Sequence, residues 1–205
     1  MVIATPAFST DQPAQPSGVY ENPTTYTITR KGKKIGSHEL RFTHDNNTLV
    51  VDINSKIEVT VFKLPVFTFE YTAQEFWRDG KLESATSRVQ ENDKTSDVGL
   101  SSNGELSNTL TLNGPQQVPR LHYTSNHWNP GVVEASRVFN TLTGEVSEVA
   151  VALIGAETVA NGIAASHYRY SGDIVADTWY DAAGKWVKLS FAGRDGSLIE
   201  YTIDQ

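Results

Sequence analysis

Leu49-Val50-Val51-Asp52-Ile53-Asn54-Ser55-Lys56-Ile57-Glu58-Val59-Thr60-Val61 alternates at period two. Leu49, Val51, Ile53, Ile57, Val59 and Val61 share one face, and Asp52, Asn54, Lys56, Glu58 and Thr60 share the other. Successive side chains of a strand point to opposite faces, so this stretch has one face on a core and one in water, the antiparallel pattern. The same rhythm returns near the C-terminus. Val187, Leu189 and Phe191 alternate with Lys188 and Ser190, and Ile199, Tyr201 and Ile203 alternate with Glu200 and Thr202.

Turn signals punctuate the chain at strand-like intervals: Lys31-Gly32, Asn46-Asn47, Asp79-Gly80, Asn92-Asp93, Asn103-Gly104, Asn113-Gly114, Thr143-Gly144, Ala183-Gly184 and Asp195-Gly196. Asp-Gly and Asn-Gly suit the positive φ angles of two-residue hairpin turns. Crossover helices are lacking, so parallel pairing has no connection to use. A long meander with open edges tends to curl. The expected fold is therefore all-β: an antiparallel meander curled into a barrel or half-barrel. One segment interrupts it. From Pro115 to about Asn140 the alternation fails, with prolines at 115, 119 and 130, and 132–139 is a short-helical candidate. An irregular insertion near 115–140 follows.

At 205 residues, with 39% hydrophobic and 20% charged residues, the chain suits one β domain over residues 21–205. A net charge of −7 argues against nucleic-acid binding, because phosphates require a basic surface. The Arg30-Lys31-Gly32-Lys33-Lys34 cluster reads as a hairpin tip. Cysteine is absent, which excludes disulfides, thiolate metal sites and cysteine nucleophiles. No stretch approaches the ~20 apolar residues of a transmembrane helix. Met1 to Ser9 is apolar and ends in Ala7-Phe8-Ser9, a small-x-small pattern like a signal-peptidase site, followed by a proline-rich stretch. Residues 1–20 are accordingly expected to be a signal-peptide remnant and disordered N-terminus, and the protein to be periplasmic or secreted in a bacterium.

Three places carry candidate chemistry. On 66–78, Phe67, Phe69, Tyr71, Ala73, Glu75 and Trp77 fall on one face. A carboxylate among aromatics would be desolvated, as a general acid or a ligand-orienting group is; otherwise Glu75 lies near a strand end and reaches water or an arginine. The stretch Arg120 to Pro130 gathers His122, Tyr123, His127 and Trp128, as a lid or binding loop would. The packing alternative has Trp128 plugging one end of the barrel. His122 and His127 are five apart and face oppositely, with Glu134 the nearest carboxylate, so no metal site is expected. Third, His167 and Arg169 share a face opposite Tyr168 and Tyr170, so a polar tip enters the interior whichever face turns in. His38, beside Leu40 and Phe42, is a weaker case of the same kind. No phosphate loop, dinucleotide fingerprint, nucleophile elbow or zinc motif is present, and no cofactor is implied.

The Tyr26-x-Ile28 strand leading to Lys34-Ile35-Gly36, then Glu75-x-Trp77-x-x-Gly80-x-Leu82, His127-Trp128-Asn129, and Asp177-x-Trp179-Tyr180-Asp181-x-x-Gly184-x-Trp186-Val187 carry a resemblance. On these the chain resembles an uncharacterised proteobacterial family of small exported β proteins, of the domain-of-unknown-function kind. That resemblance implies a β-rich exported domain and assigns no catalytic residue. The last motif is also similar to the ends of periplasmic lipoprotein carriers, which hold acyl chains in a half-barrel.

The leading expectation is an exported binding protein for a lipid or other hydrophobic small molecule in a barrel cavity. Its expected ligand-binding residues are Tyr71, Glu75, Trp77, His122, His127, Trp128, His167 and Arg169. The enzyme alternative pairs Glu75 with His127 or His167 as acid and base of an isomerase, cyclase or hydrolase. The third reading is an envelope structural or assembly protein. The sequence leaves the oligomeric state open.

Overall fold

A computed structural model describes residues 16–62, 64–159 and 162–204. The N-terminal leader reading falls mostly on residues 1–15, outside the described residues. Tyr20, placed above at the end of the disordered stretch, is tied into the domain: it stacks on Phe42, accepts from the Trp186 amide and donates to the Trp128 carbonyl.

Among the described residues, fourteen strands form one antiparallel sheet. Its first run is β1 (Thr24–Arg30), β2 (Lys33–Asp45), β3 (Thr48–Val61), β4 (Leu64–Arg78), β5 (Lys81–Glu91), β6 (Lys94–Asn103), β7 (Leu106–Thr111) and β8 (Gly114–Pro119). The second is β9 (Arg137–Phe139), β10 (Val146–Thr158), β11 (Ala164–Gly172), β12 (Ala176–Asp181), β13 (Trp186–Ala192) and β14 (Leu198–Ile203). Strands β1 and β14 pair at the centre, so the two runs extend outward to edges at β8 and β9. The meander and the barrel-like curl are as the sequence led us to expect.

All nine turn signals lie at or between strand ends. Lys31 and Gly32, and Asp79 and Gly80, both take positive φ, as a primed hairpin turn demands. The β3–β4 reversal carries no such signal. It turns at Phe62, whose φ is +52 and whose ring is 96% exposed, a strained place for a bulky residue.

The sheet is not closed. Strands β8 and β9 share no ladder, yet the β9–β10 turn lies against β7 and its turn into β8. The Leu112 amide donates to the Thr143 carbonyl at 3.0 Å, and Glu145 accepts from Asn113 and Gln116. Gly144 is required here: a Cβ would fall 2.3 Å from the Leu110 carbonyl oxygen, and its φ is +77. The buried faces of β5 and β7 present small hydroxyls, Ser87, Ser107, Thr109 and Thr111, which leave room for backbone to approach. Ser107 accepts from the Leu121 amide and Ser87 donates to the Thr141 carbonyl.

The interruption is shorter than the sequence suggested. Pro115 and Pro119 belong to β8, an edge strand, where a residue without an N–H is tolerated. The irregular part is 120–136. In place of the expected helix over 132–139 there is a 3-10 turn, Pro130–Glu134, followed by β9. Asn129 caps that turn by accepting from the Gly131 amide.

Alternate hairpin turns of a meander share one end of the sheet. One end thus gathers the turns at 46–47, 79–80, 104–105 and 182–185, together with both ends of the 120–136 segment. The segment plugs this end. Trp128 is buried edge-on against Trp77 and Phe42, with ring centroids 5.4 and 5.6 Å apart, each such pair contributing about 1 kcal/mol beyond its burial.

Candidate functional site: an apolar cavity with a polar floor

The opposite end is open. A cavity of about 710 Å³ runs from the plug to this end. Its walls come from the inward rows of β2–β4, β13 and β14, among them Leu40, Ile57, Phe69, Leu189, Phe191 and Ile199. Val66, Leu142 and Val175 line it and are also exposed, which marks its mouth. Two ion pairs sit at this rim, Arg30 with Asp195 and Arg194 with Glu91.

The plug is fastened by Glu75, which is wholly buried. One carboxylate oxygen accepts from Thr124 Oγ1 at 2.6 Å and Asn126 Nδ2 at 2.7 Å. The other accepts from Trp77 Nε1 at 2.9 Å and Trp128 Nε1 at 2.8 Å. Four donors occupy the four lone-pair sites of a carboxylate, so none is left for a substrate or a metal. Of the two readings of Glu75, the structure has the buried one rather than the strand-end one, and its polar cost is met by hydrogen bonds to neutral groups. Three of its donors belong to the plug.

Beside that knot, polar groups gather around Trp186. The ring centroids of His38, His127 and Tyr201 lie 5.4, 5.9 and 6.2 Å from the Trp186 ring. His38 Nδ1 and Ser55 Oγ are 2.7 Å apart. Burial holds His38 down to about 3, with His127 nearby adding to the effect, and burial alone holds His127 down to about 4. Both rings are therefore neutral at physiological pH. His127 Nδ1 is buried with no hydrogen-bond partner among the described residues. Burial also raises the Tyr71 and Tyr201 hydroxyls. Tyr71 donates to Asn126 at 2.9 Å, whereas the Tyr201 hydroxyl has no hydrogen-bond partner among the described residues.

The structure sorts the expected residues into three groups. Tyr71, His127 and Trp128 line the cavity. Glu75 and Trp77 lie behind its wall, in the knot that holds the plug. His122 is exposed, and His167 and Arg169 lie on the outer face of β11, because the opposite row carries Tyr170, whose ring meets His127 at 5.2 Å. The pairing of Glu75 with His167 as acid and base is thereby corrected: the two stand on opposite faces of the sheet. No hydrogen bond joins Glu75 to His127 either. Sequence reasoning passed over Ser55 and Tyr201, although both fall in phase with apolar rows, and it treated His38 as minor.

His167 has its own setting outside. Its ring stacks on Trp179, with centroids 4.3 Å apart, and its two nitrogens meet Glu157 at 2.8 Å and Asp177 at 2.6 Å. Hydrogen bonds from Trp179 and His167 hold Glu157 below the usual carboxylate range. Partial burial pushes Asp177 up, but bonds from His167 and Arg169 outweigh it and leave that carboxyl low as well. Among the described residues no three His, Asp or Glu side chains are arranged to hold a metal.

Residues 26–204 match the family described as Domain of unknown function (DUF6134). The chain belongs to the DUF6134 family. The expected membership in a family of unknown function is thus borne out, and the match spans the sheet from β1 through β14. The DUF6134 chain is also similar to the crystal structure of a β-barrel-like protein of the domain of unknown function DUF1849 from Brucella abortus. The TM-score is 0.65, with 10% identity, covering 89% of this chain and 95% of that one. At that identity the likeness speaks for the fold alone. No curated protein matches the chain.

Proposed function

We propose that this DUF6134 protein binds a hydrophobic small molecule, a lipid foremost, in the cavity between plug and mouth, and that it works in the bacterial periplasm or outside the cell. The observation that carries the reading is the cavity itself: about 710 Å³, apolar along its walls, closed at one end by a fastened plug. Small-molecule sites have this size and this lining, with a few polar groups converging at one place. The export part rests on the Ala7-Phe8-Ser9 pattern. An acid/base enzyme is less well supported, because Glu75 has no free lone pair. His38, held at about 3, is too weak a base to draw a proton from Ser55 near neutrality.

Native mass spectrometry of gently purified protein, followed by displacement of a polarity-sensitive hydrophobic dye with alkyl chains of increasing length, tests this. Burial of each methylene is worth about 0.8 kcal/mol, so affinity should rise roughly fourfold per carbon until the cavity is full. A protein that carries no lipid, binds no dye and shows no dependence on chain length is not such a carrier.

A further inference from the structure

Resting on that reading, we infer that the bound molecule is an uncharged amphiphile held head-inward, its hydroxyl or carbonyl on the floor formed by His38, His127 and Tyr201 and its chain directed to the mouth. A ligand filled only with hydrocarbon would leave the floor unsatisfied. His127 and Tyr201 both line the cavity, and among the described residues no hydrogen bond reaches either ring nitrogen of His127 or the Tyr201 hydroxyl. Native proteins pair nearly all buried polar atoms, so such vacancies mark the place where a polar atom of something else belongs.

The charge of that head follows from what surrounds it. No lysine or arginine lines the floor; the two lining arginines, Arg30 and Arg194, belong to the rim and are already paired. Both imidazoles are neutral over the physiological range, for their burial holds them at about 3 and 4. A carboxylate or phosphate pushed to this depth would lose its water without gaining a counter-charge, and an ammonium would meet neither carboxylate nor hydration. Glu75 gives no help to a cation, since its four acceptor sites are taken. A hydroxyl or carbonyl, by contrast, can exchange one or two hydrogen bonds with an imidazole and a phenol at little desolvation cost.

Orientation separates this from the other arrangement the cavity allows. An anionic lipid would sit head-out, its charge at the rim arginines and its methyl end on the floor, leaving the histidine vacancy unfilled. The two arrangements respond differently to the head group at fixed chain length.

The test is dye displacement at pH 8 by dodecanol, dodecanoate and dodecyltrimethylammonium, each below its micelle threshold. Dodecanol should displace the dye at least tenfold better than either ion, which corresponds to about 1.4 kcal/mol. His127→Phe and, separately, Tyr201→Phe should cut that preference to under threefold, with a melting curve recorded for each to show that it folds. Dodecanoate binding as well as dodecanol, or a preference unmoved in both folded variants, overturns the head-inward arrangement while leaving the cavity as a lipid site. Failure of the dye and of all three chains to bind removes the proposed function and this inference together.

Discussion

Glu75 accepts four hydrogen bonds in the interior, whereas His127, next in sequence to the Trp128 that donates one of them, keeps an unpartnered ring nitrogen beside a cavity. Both are polar groups carried into an apolar barrel, and by residue type alone the carboxylate is the more reactive-looking of the two. The difference lies in saturation. A buried polar group whose bonds are all made joins parts of the fold, here β4 to the 120–136 plug. One with a bond unmade holds a place for a partner from outside.

The most severe way to break this comparison is at Glu75. Replacing Glu75 with Leu strands the donors of Thr124, Asn126, Trp77 and Trp128 in the interior, each costing about 1–3 kcal/mol if it finds no substitute. The expected loss is about 4 kcal/mol or more, much of a typical domain's whole stability. Glu75→Gln is milder but still damaging, because its amide nitrogen presents a donor to donors. Urea denaturation measures the loss, and limited proteolysis should show new cuts between 120 and 136. A Glu75→Leu protein that unfolds at the wild-type urea midpoint would end the view of Glu75 as a fastener.

How much of this could be read beforehand depends on which residues are neighbours in sequence. Period two placed Glu75 and Trp77 on the inward face of β4, and the turn dipeptides placed most hairpins, because both depend on local backbone geometry. Phe62 carries no turn chemistry, so its reversal was not legible. Pro115 and Pro119 looked like loop residues because nothing local says that β8 is an edge. The floor could not be assembled from the sequence at all. It joins His38 of β2, Ser55 of β3, Tyr201 of β14 and His127 of the plug, and only the curl of the sheet brings these together. For His167 the parity argument was sound in form, since one face did turn in. The inward face is the tyrosine face, and His167 found its partners outside.

Acid sharpens the comparison from the histidine side. His38 and His127 lie below the ordinary value, at about 3 and about 4, while the unfolded chain titrates near 6.5. Between those values the unfolded state binds protons that the folded state refuses. The contribution is therefore whole above about pH 6.5 and is lost as pH falls towards 4 and then 3, by about 1.4 kcal/mol per pH unit for each ring. His127→Phe should halve this slope between pH 6 and 4.5. At pH 8 the same variant should stay within about 1 kcal/mol of wild type, because it removes an atom that had no bond to lose. Urea melts across pH 4.5–8 check both halves. A variant whose slope is unchanged would mean that His127 is reached by water, and the floor would then be an ordinary wet surface.

The smallest effect is expected outside the barrel, and it serves as the control on the other two. His167 presents one nitrogen to Glu157 and the other to Asp177, so its ring bridges the two carboxylates. Glu157 and Asp177 are held below the usual carboxylate range, so their contribution is present above about pH 4 and is lost as the pH falls below it, overlapping only the last part of the floor-histidine loss. Their side chains are partly solvent-exposed, 48% for Glu157 and 26% for Asp177, which screens the attraction. Solvent-screened pairs of that kind contribute little to stability. His167→Gln keeps a donor and a planar group over Trp179, and it should cost less than about 1 kcal/mol and leave dye affinity within twofold. Equilibrium melts and the displacement assay read these together. A large change in dye binding would show that the outer face of β11 reports to the cavity, and the division between a saturated knot, a vacant floor and an independent outer clamp would have to be redrawn.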